Sequence, residues 1–246
     1  MSAKAMAIEG KAVLVTGANR GLGQALVEEA LRRGATRVYA GTRQPLVHPD
    51  EHVTPLTLDV TDPTQVQRAA EKVGSLDILF NNAGVALPNE LSDRAALERH
   101  LAVNLFGTWA VTEAFLPQLR RTGGAVVNVV SVAALAAVPV LPAYSISKAA
   151  GFSLSQSLRA LLAGRGVSVH AVMAGPIDTD MVRDLDIPKT SPVAVARGIF
   201  DGVEKGEEEI FPDPMSETMA ESWRTGPAKA LERQNAALVA AAPVAA

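Results

Sequence analysis

Residues 11–23 read Lys11-Ala12-Val13-Leu14-Val15-Thr16-Gly17-Ala18-Asn19-Arg20-Gly21-Leu22-Gly23. The apolar run 11–16 suits a strand buried on both faces. A helix is predicted to follow over about residues 21–33, with Leu22, Leu26, Ala30 and Leu31 on one side. Between them lies T-G-x-x-x-G-x-G. Glycines at Gly17, Gly21 and Gly23 let the backbone turn tightly and approach a pyrophosphate, which rests on the N-terminus of the helix. The spacing differs from the G-x-G-x-x-G of other dinucleotide-binding turns.

Beyond this turn, strand patterns recur at 37–42, 52–58, 76–80, 124–130 and 167–173, and helical patterns at 64–73, 95–121 and 142–165. Strands alternate with helices and no hairpin signal intervenes. The expected fold is α/β: a single-domain, Rossmann-type, doubly wound parallel sheet with helices on both faces, spanning residues 1–246. Ligands are expected at the carboxyl ends of its strands. Residues 179–191 are read as a substrate lid, and 236–246 as an Ala-rich C-terminal tail or helix end.

Composition narrows the chemistry. The chain has no cysteine, which excludes disulfides, thiol nucleophiles and Cys-bound zinc. Its four histidines have no metal-binding spacing, so no metal is expected. A net charge of −3 gives no field to attract nucleic acid. The first residues lack the apolar core of a signal peptide, and no apolar run is long enough for a membrane span, so the expected location is the cytoplasm.

The second strand ends Ala40-Gly41-Thr42-Arg43, without the carboxylate that would hold a ribose 2′-hydroxyl. Arg43 can instead form bidentate bonds to a 2′-phosphate, with Arg20 as a second cation. The expected cofactor is therefore NADP(H).

Tyr144 and Lys148 stand at i and i+4, on one face of a predicted helix. Ser131 ends the strand before it. Here the chain resembles the short-chain dehydrogenase/reductase family, in its standard branch of about 250 residues, over residues 11–181. The motifs that carry the resemblance are the glycine turn, Asp59-Val60, Asn81-Asn82-Ala83-Gly84, Asn104 with Gly107, Ser131, and Tyr144 with Lys148. It implies Asn104, Ser131, Tyr144 and Lys148 as catalytic residues. It also implies a cofactor held by Gly17, Asn19, Arg20, Gly21, Leu22, Gly23, Arg43, Asp59, Val60, Asn82, Ala83, Gly84, Tyr144, Lys148, Gly175, Ile177 and Thr179. Two departures stand out. The family's Pro-Gly after the sixth strand is Ala174-Gly175, and the V-D-G-G ending of tetrameric members is replaced by residues 207–212 (EEEIFP).

The chemistry expected is reversible reduction of a hydrophobic ketone or aldehyde. Tyr144 would give the proton, and Lys148 would lower the phenol's pKa and hold the ribose. Ser131 would bond the substrate oxygen. By resemblance, Asn104 would position a water that relays protons to Lys148. Ala133, Leu135, Met181 and Leu185 are the expected substrate-pocket residues, since residues 131–144 lie between two catalytic positions and the segment is apolar. The competing readings are a non-catalytic NADPH-binding regulator and a sugar-nucleotide epimerase of the extended branch. The short region after Thr179 speaks against the epimerase. Helices 95–121 and 142–165, with Phe106, Trp109, Phe115, Phe152 and Leu158, suggest a homodimer, with a tetramer left open.

Overall fold

The computed structural model describes residues 4–183 and 186–241. Strand β1, Ala12–Thr16, occupies the middle of a parallel sheet. Its side chains alternate between two cores. Val13 and Val15 pack with one apolar cluster and Leu14 with the other, as a strand covered on both faces requires. The same alternation places Ile78 and Phe80 opposite Leu79 in β4, Ile78–Asn81. The other strands are β2 (Arg37–Thr42), β3 (Val53–Thr57), β5 (Ala125–Val129), β6 (Ser168–Val172) and β7 (Glu209–Ile210). Their order is β3-β2-β1-β4-β5-β6-β7, all parallel. Chain direction across the sheet reverses between β1 and β4, and a crevice opens there at the strands' carboxyl ends.

Helices α1 (Gly21–Arg32) and α6 (Pro192–Lys205) close one face through Leu22, Leu26, Val195, Ile199 and Phe200. The opposite face is closed by α2 (Pro63–Lys72), α4 (Thr108–Thr122) and α5 (Pro142–Leu162), through Val66, Phe115, Leu119, Leu158 and Leu162. Asp62 caps α2 by accepting from Thr64 N and Gln65 N, with Pro63 in the first turn.

Three expectations need correction. The segment 95–121 is not one α-helix. It runs as α3 (Arg94–Leu101), a π-helical turn (Ala102–Gly107) and then α4. A Cβ on Gly107 would lie 2.7 Å from Val60 Cγ2. The widened turn shifts register so that Gly107 sits against Val60, Asn104 turns toward Val85, and Val111 and Phe115 still face the sheet. Residues 207–212 contain a seventh strand, because β7 pairs Glu209 and Ile210 with Ala171 and Val172. Phe115, Phe152 and Leu158 are buried in the cores and offer nothing to a partner, whereas Phe106 and Trp109 are exposed. Toward the C-terminus come α7 (Pro214–Glu217), α8 (Ala220–Thr225) and α9 (Pro227–Ala241). Residues 236–241 of the expected tail thus belong to a helix; 242–246 lie outside the described residues. Among the described residues, no helix is long and apolar enough to cross a membrane.

Candidate active site

Thr16 ends β1 as a junction. Its Oγ1 donates to Phe80 O and accepts from the backbone N–H groups of Asn82 and Ala83, both at 3.0 Å. Asn82 returns the tie by donating through Nδ2 to Thr16 O at 2.9 Å. The glycine turn and the segment after β4 are therefore one rigid unit. Gly17 and Gly21 adopt φ of +66° and +53°, which favours glycine. A Cβ on Gly23 would stand 2.0 Å from Gly17 O, so α1 can start only with glycine at that position. No side chain caps α1 and no acidic residue stands in its first turn. Its first N–H groups are left for an anion in the crevice.

The crevice is a continuous cleft of about 760 Å³. Every expected cofactor residue lines it, from Gly17 to Gly23 and Arg43 through Asp59, Val60, Asn82, Ala83 and Gly84 to Gly175, Ile177 and Thr179. Ser131, Tyr144 and Lys148 line the same cleft. These residues fit a dinucleotide: an uncapped helix end and a close-approach glycine turn at one place, two cations beside them, and a proton donor further along. Arg43 is exposed on the cleft wall. Arg20 makes a 3.1 Å ion pair with Asp180 across the mouth, and Asp180 also pairs with Arg183.

At the other end, α5 presents Lys148 with Nζ 5.6 Å from the centroid of the Tyr144 ring. The ammonium donates to Val129 O at 2.8 Å. Burial pushes Lys148 down to about 8. Burial pushes the Tyr144 phenol above its usual value, and the Ser131 hydroxyl pulls it part of the way back. The counteracting group is thus Ser131, where the sequence pointed to Lys148. Ser131 Oγ donates to Ala174 O at 3.2 Å and accepts from Ala133 N at 3.1 Å.

Asn104 does not line the large cleft. Its side chain holds Val85 at both backbone atoms and donates to Ser147 Oγ at 2.9 Å. It borders a separate cavity of about 10 Å³ beside Lys148, Asn81, Thr108, Asn128 and Gly151.

The expected substrate residues divide. Ala133 and Met181 line the cleft. Leu135 does not: the chain enters a short 3₁₀ turn at Val132–Ala134, and Leu135 packs against the apolar cluster of Phe152 and Phe211. The segment 131–144 is therefore only partly a cleft wall, and Val138 and Leu141 share that wall. Leu185 lies outside the described residues. Ile187, in the expected lid, also lines the cleft, and Met215 lines it without having been anticipated. Met215 sits in the polar stretch after β7, where one methionine carries no periodic signal.

Comparison with known proteins agrees with this geometry. A family model described as short chain dehydrogenase matches residues 11–189. The chain is 36% identical over 197 residues to the short chain dehydrogenase pigC of Monascus ruber, covering 71% of this chain and 65% of that protein. It is 35% identical to estradiol 17-beta-dehydrogenase 2 of Mus musculus, covering 73% of this chain and 51% of that protein. The match thus spans about half to two thirds of the length of these two relatives. Among solved structures, a short chain dehydrogenase from Burkholderia cenocepacia in complex with NADP superposes with a TM-score of 0.85. It is 37% identical, and the match covers 93% of this chain and 98% of that one.

Proposed function

The chain belongs to the short-chain dehydrogenase family, and from that we propose that it reduces hydrophobic ketones and aldehydes to alcohols with NADPH, reversibly. The observation that carries this reading is the single cleft joining the glycine turn and Arg43 to Ser131, Tyr144 and Lys148. NADPH, when bound, supplies the hydride. Arg43 holds its 2′-phosphate in a fork geometry that suits phosphate, and Arg20 is exposed enough to leave Asp180 and join it. The NADP complex of the Burkholderia relative supports this cofactor.

Tyr144 gives its phenolic proton to the substrate oxygen, and Ser131 turns its one hydroxyl proton from Ala174 O to the charge developing there. Lys148 holds the nicotinamide ribose and favours phenolate once Tyr144 has given up its proton. The small cavity beside Lys148 has room for about one water, and Asn104 on its border orders that water for proton resupply.

The wall is apolar at Ala133, Val138, Leu141, Met181, Ile187 and Met215. The nearby Arg183 is engaged by Asp180. Such a wall favours aryl, alicyclic or long-chain carbonyl compounds, at about 25 cal/mol per Å² of apolar area buried, over keto acids and sugar phosphates. The test compares kcat/KM for an aryl ketone and a charged 2-keto acid at equal NADPH, with Tyr144→Phe as control. The ketone should be clearly preferred, and the variant should lose several orders of magnitude in kcat while still binding NADPH. Binding of NADPH without turnover of any carbonyl would instead indicate a regulator.

A further inference from the structure

The Ala174-Gly175 step is tied to Asp213, on the far side of β7 in sequence. The peptide joining Ala174 to Gly175 is held at both ends. Its N–H donates to Asp213 Oδ2 at 2.8 Å. Its carbonyl accepts from Ser131 Oγ at 3.2 Å and from Val132 N at 3.0 Å. A peptide unit is planar and rigid, so what fixes one end fixes the other.

Asp213 is only 4% exposed. Its Oδ2 also accepts from Ser216 Oγ at 2.8 Å, and its Oδ1 from Ser216 N at 3.0 Å, in a capping box that opens α7. Among the described residues, no lysine, arginine or histidine is paired with it. Its partners are N–H and O–H dipoles, so a hydrogen bond to it polarises the Gly175 peptide and makes Ala174 O a stronger acceptor. A Cβ on Gly175 would lie 2.7 Å from Asp213 Oδ1; only glycine admits the carboxylate this close. Capping α7 uses Oδ1, whereas Oδ2 reaches outside the cap to the Gly175 N–H. We propose that Asp213 is a positioning residue for hydride transfer: through the Ala174–Gly175 peptide it fixes the backbone against which the Ser131 side chain is set in the cleft. Its catalytic consequence rests on the reductase reading; its structural consequence does not.

Three measurements on the full chain test this. In cofactor-free protein, Asp213→Ala should raise deuterium uptake at residues 173–179 and leave the glycine turn at 16–23 unchanged. In turnover, Asp213→Ala should lower kcat at least tenfold while the Kd for NADPH changes no more than a few-fold, because the phosphate end is untouched. Asp213→Asn, which retains an acceptor oxygen, should recover most of the rate. In a double-mutant cycle, adding Asp213→Ala to Ser131→Ala should cost little more than Ser131→Ala alone; a residue that merely supports the fold would multiply the loss. Unchanged uptake at 173–179, or fully multiplicative losses, would overturn the proposal. Should Asp213→Ala not fold, Gly175→Ala drives a Cβ against the carboxylate and carries the same uptake and rate measurements, with the same result required. A wild type that reduces no carbonyl would refute the reductase reading alone, since the exchange comparison still decides what Asp213 holds.

Discussion

Burial acts on both members of the Tyr144–Lys148 pair, and in opposite directions along the pH axis. It raises the phenol and lowers the ammonium to about 8. Above that pH the free protein holds Lys148 neutral, and its help to the phenolate and to the cofactor's ribose is lost. The value of kcat/KM for NADPH, which reports the free enzyme, should therefore fall as pH rises through about 8. Lys148→Met should be slow throughout and lack this limb. A wild-type profile flat from pH 7 to 9.5 would mean that Lys148 does not titrate there. Arg43 governs a different property. Arg43→Ala should raise KM for NADPH much more than for NADH, because only NADPH carries the 2′-phosphate that Arg43 is proposed to hold. Thr42→Asp with Arg43 removed should shift preference toward NADH by adding a carboxylate where the ribose hydroxyl would sit. Equal losses for both cofactors would remove Arg43 from the account. The place of these residues on the cleft was legible in the sequence because local backbone demands or charge mark them: Gly17 must tolerate positive φ, and Arg43 stands where a carboxylate is missing.

Longer-range packing was less legible. Strands β1 to β6 and helices α1, α2 and α5 follow from apolar runs and turns, and they lie within a few residues of expectation. The π-helical turn was hidden because Gly107 answers to Val60, distant in sequence. Leu135 looked like cleft wall, but a three-residue 3₁₀ turn aims it into the core. Strand β7 was hidden because an acidic run reads as solvated surface. In the fold, Glu209 is buried between Arg159 and Lys229 at 2.7 and 2.9 Å. Beside this edge, His170 on β6 is fully buried; its Nδ1 donates to Glu207 O at 2.6 Å, and its Nε2 has no protein partner among the described residues. Burial lowers it from 6.5 to about 4. Below pH 6.5 the unfolded chain takes up a proton that the folded chain refuses until about 4. Stability from this group is thus complete above pH 6.5 and falls by about 3 kcal/mol on the way down to 4. His170→Asn keeps a donor for Glu207 O and cannot titrate. Urea unfolding of both proteins should show wild type losing ground to the variant across that window. A pH-independent difference would mean His170 is charged or solvated in the fold.

Helix α5 also joins the active site to the outer surface. Its inner side carries Tyr144 and Lys148, while its outer side exposes Ile146, Ala149, Ser153, Ser157 and Leu161, with no charge among them. The two charged side chains of α5 are turned inward: Lys148 bonds to Val129 O, and Arg159 pairs with Glu209 and Glu232. On the π-helical turn and the start of α4, Phe106 and Trp109 are 58% and 49% exposed. An uncharged, small-residue helix face and exposed aromatic side chains have the composition of an interface core, and small residues let two helices approach closely. We expect a homodimer in which two copies of α5 and the Phe106–Trp109 surface meet, burying at least about 1,200 Å² in total. Such packing would stiffen the helix that carries Tyr144 and Lys148 from its outer side. Ser153 lies midway along that face, so Ser153→Arg would put two facing guanidinium groups into the contact. Light scattering at micromolar concentration should give a dimer for the wild type and a monomer for Ser153→Arg, with Trp109→Ala between them in dissociation constant. A monomeric wild type, or a Ser153→Arg protein that stays dimeric, would show that this face does not form the contact.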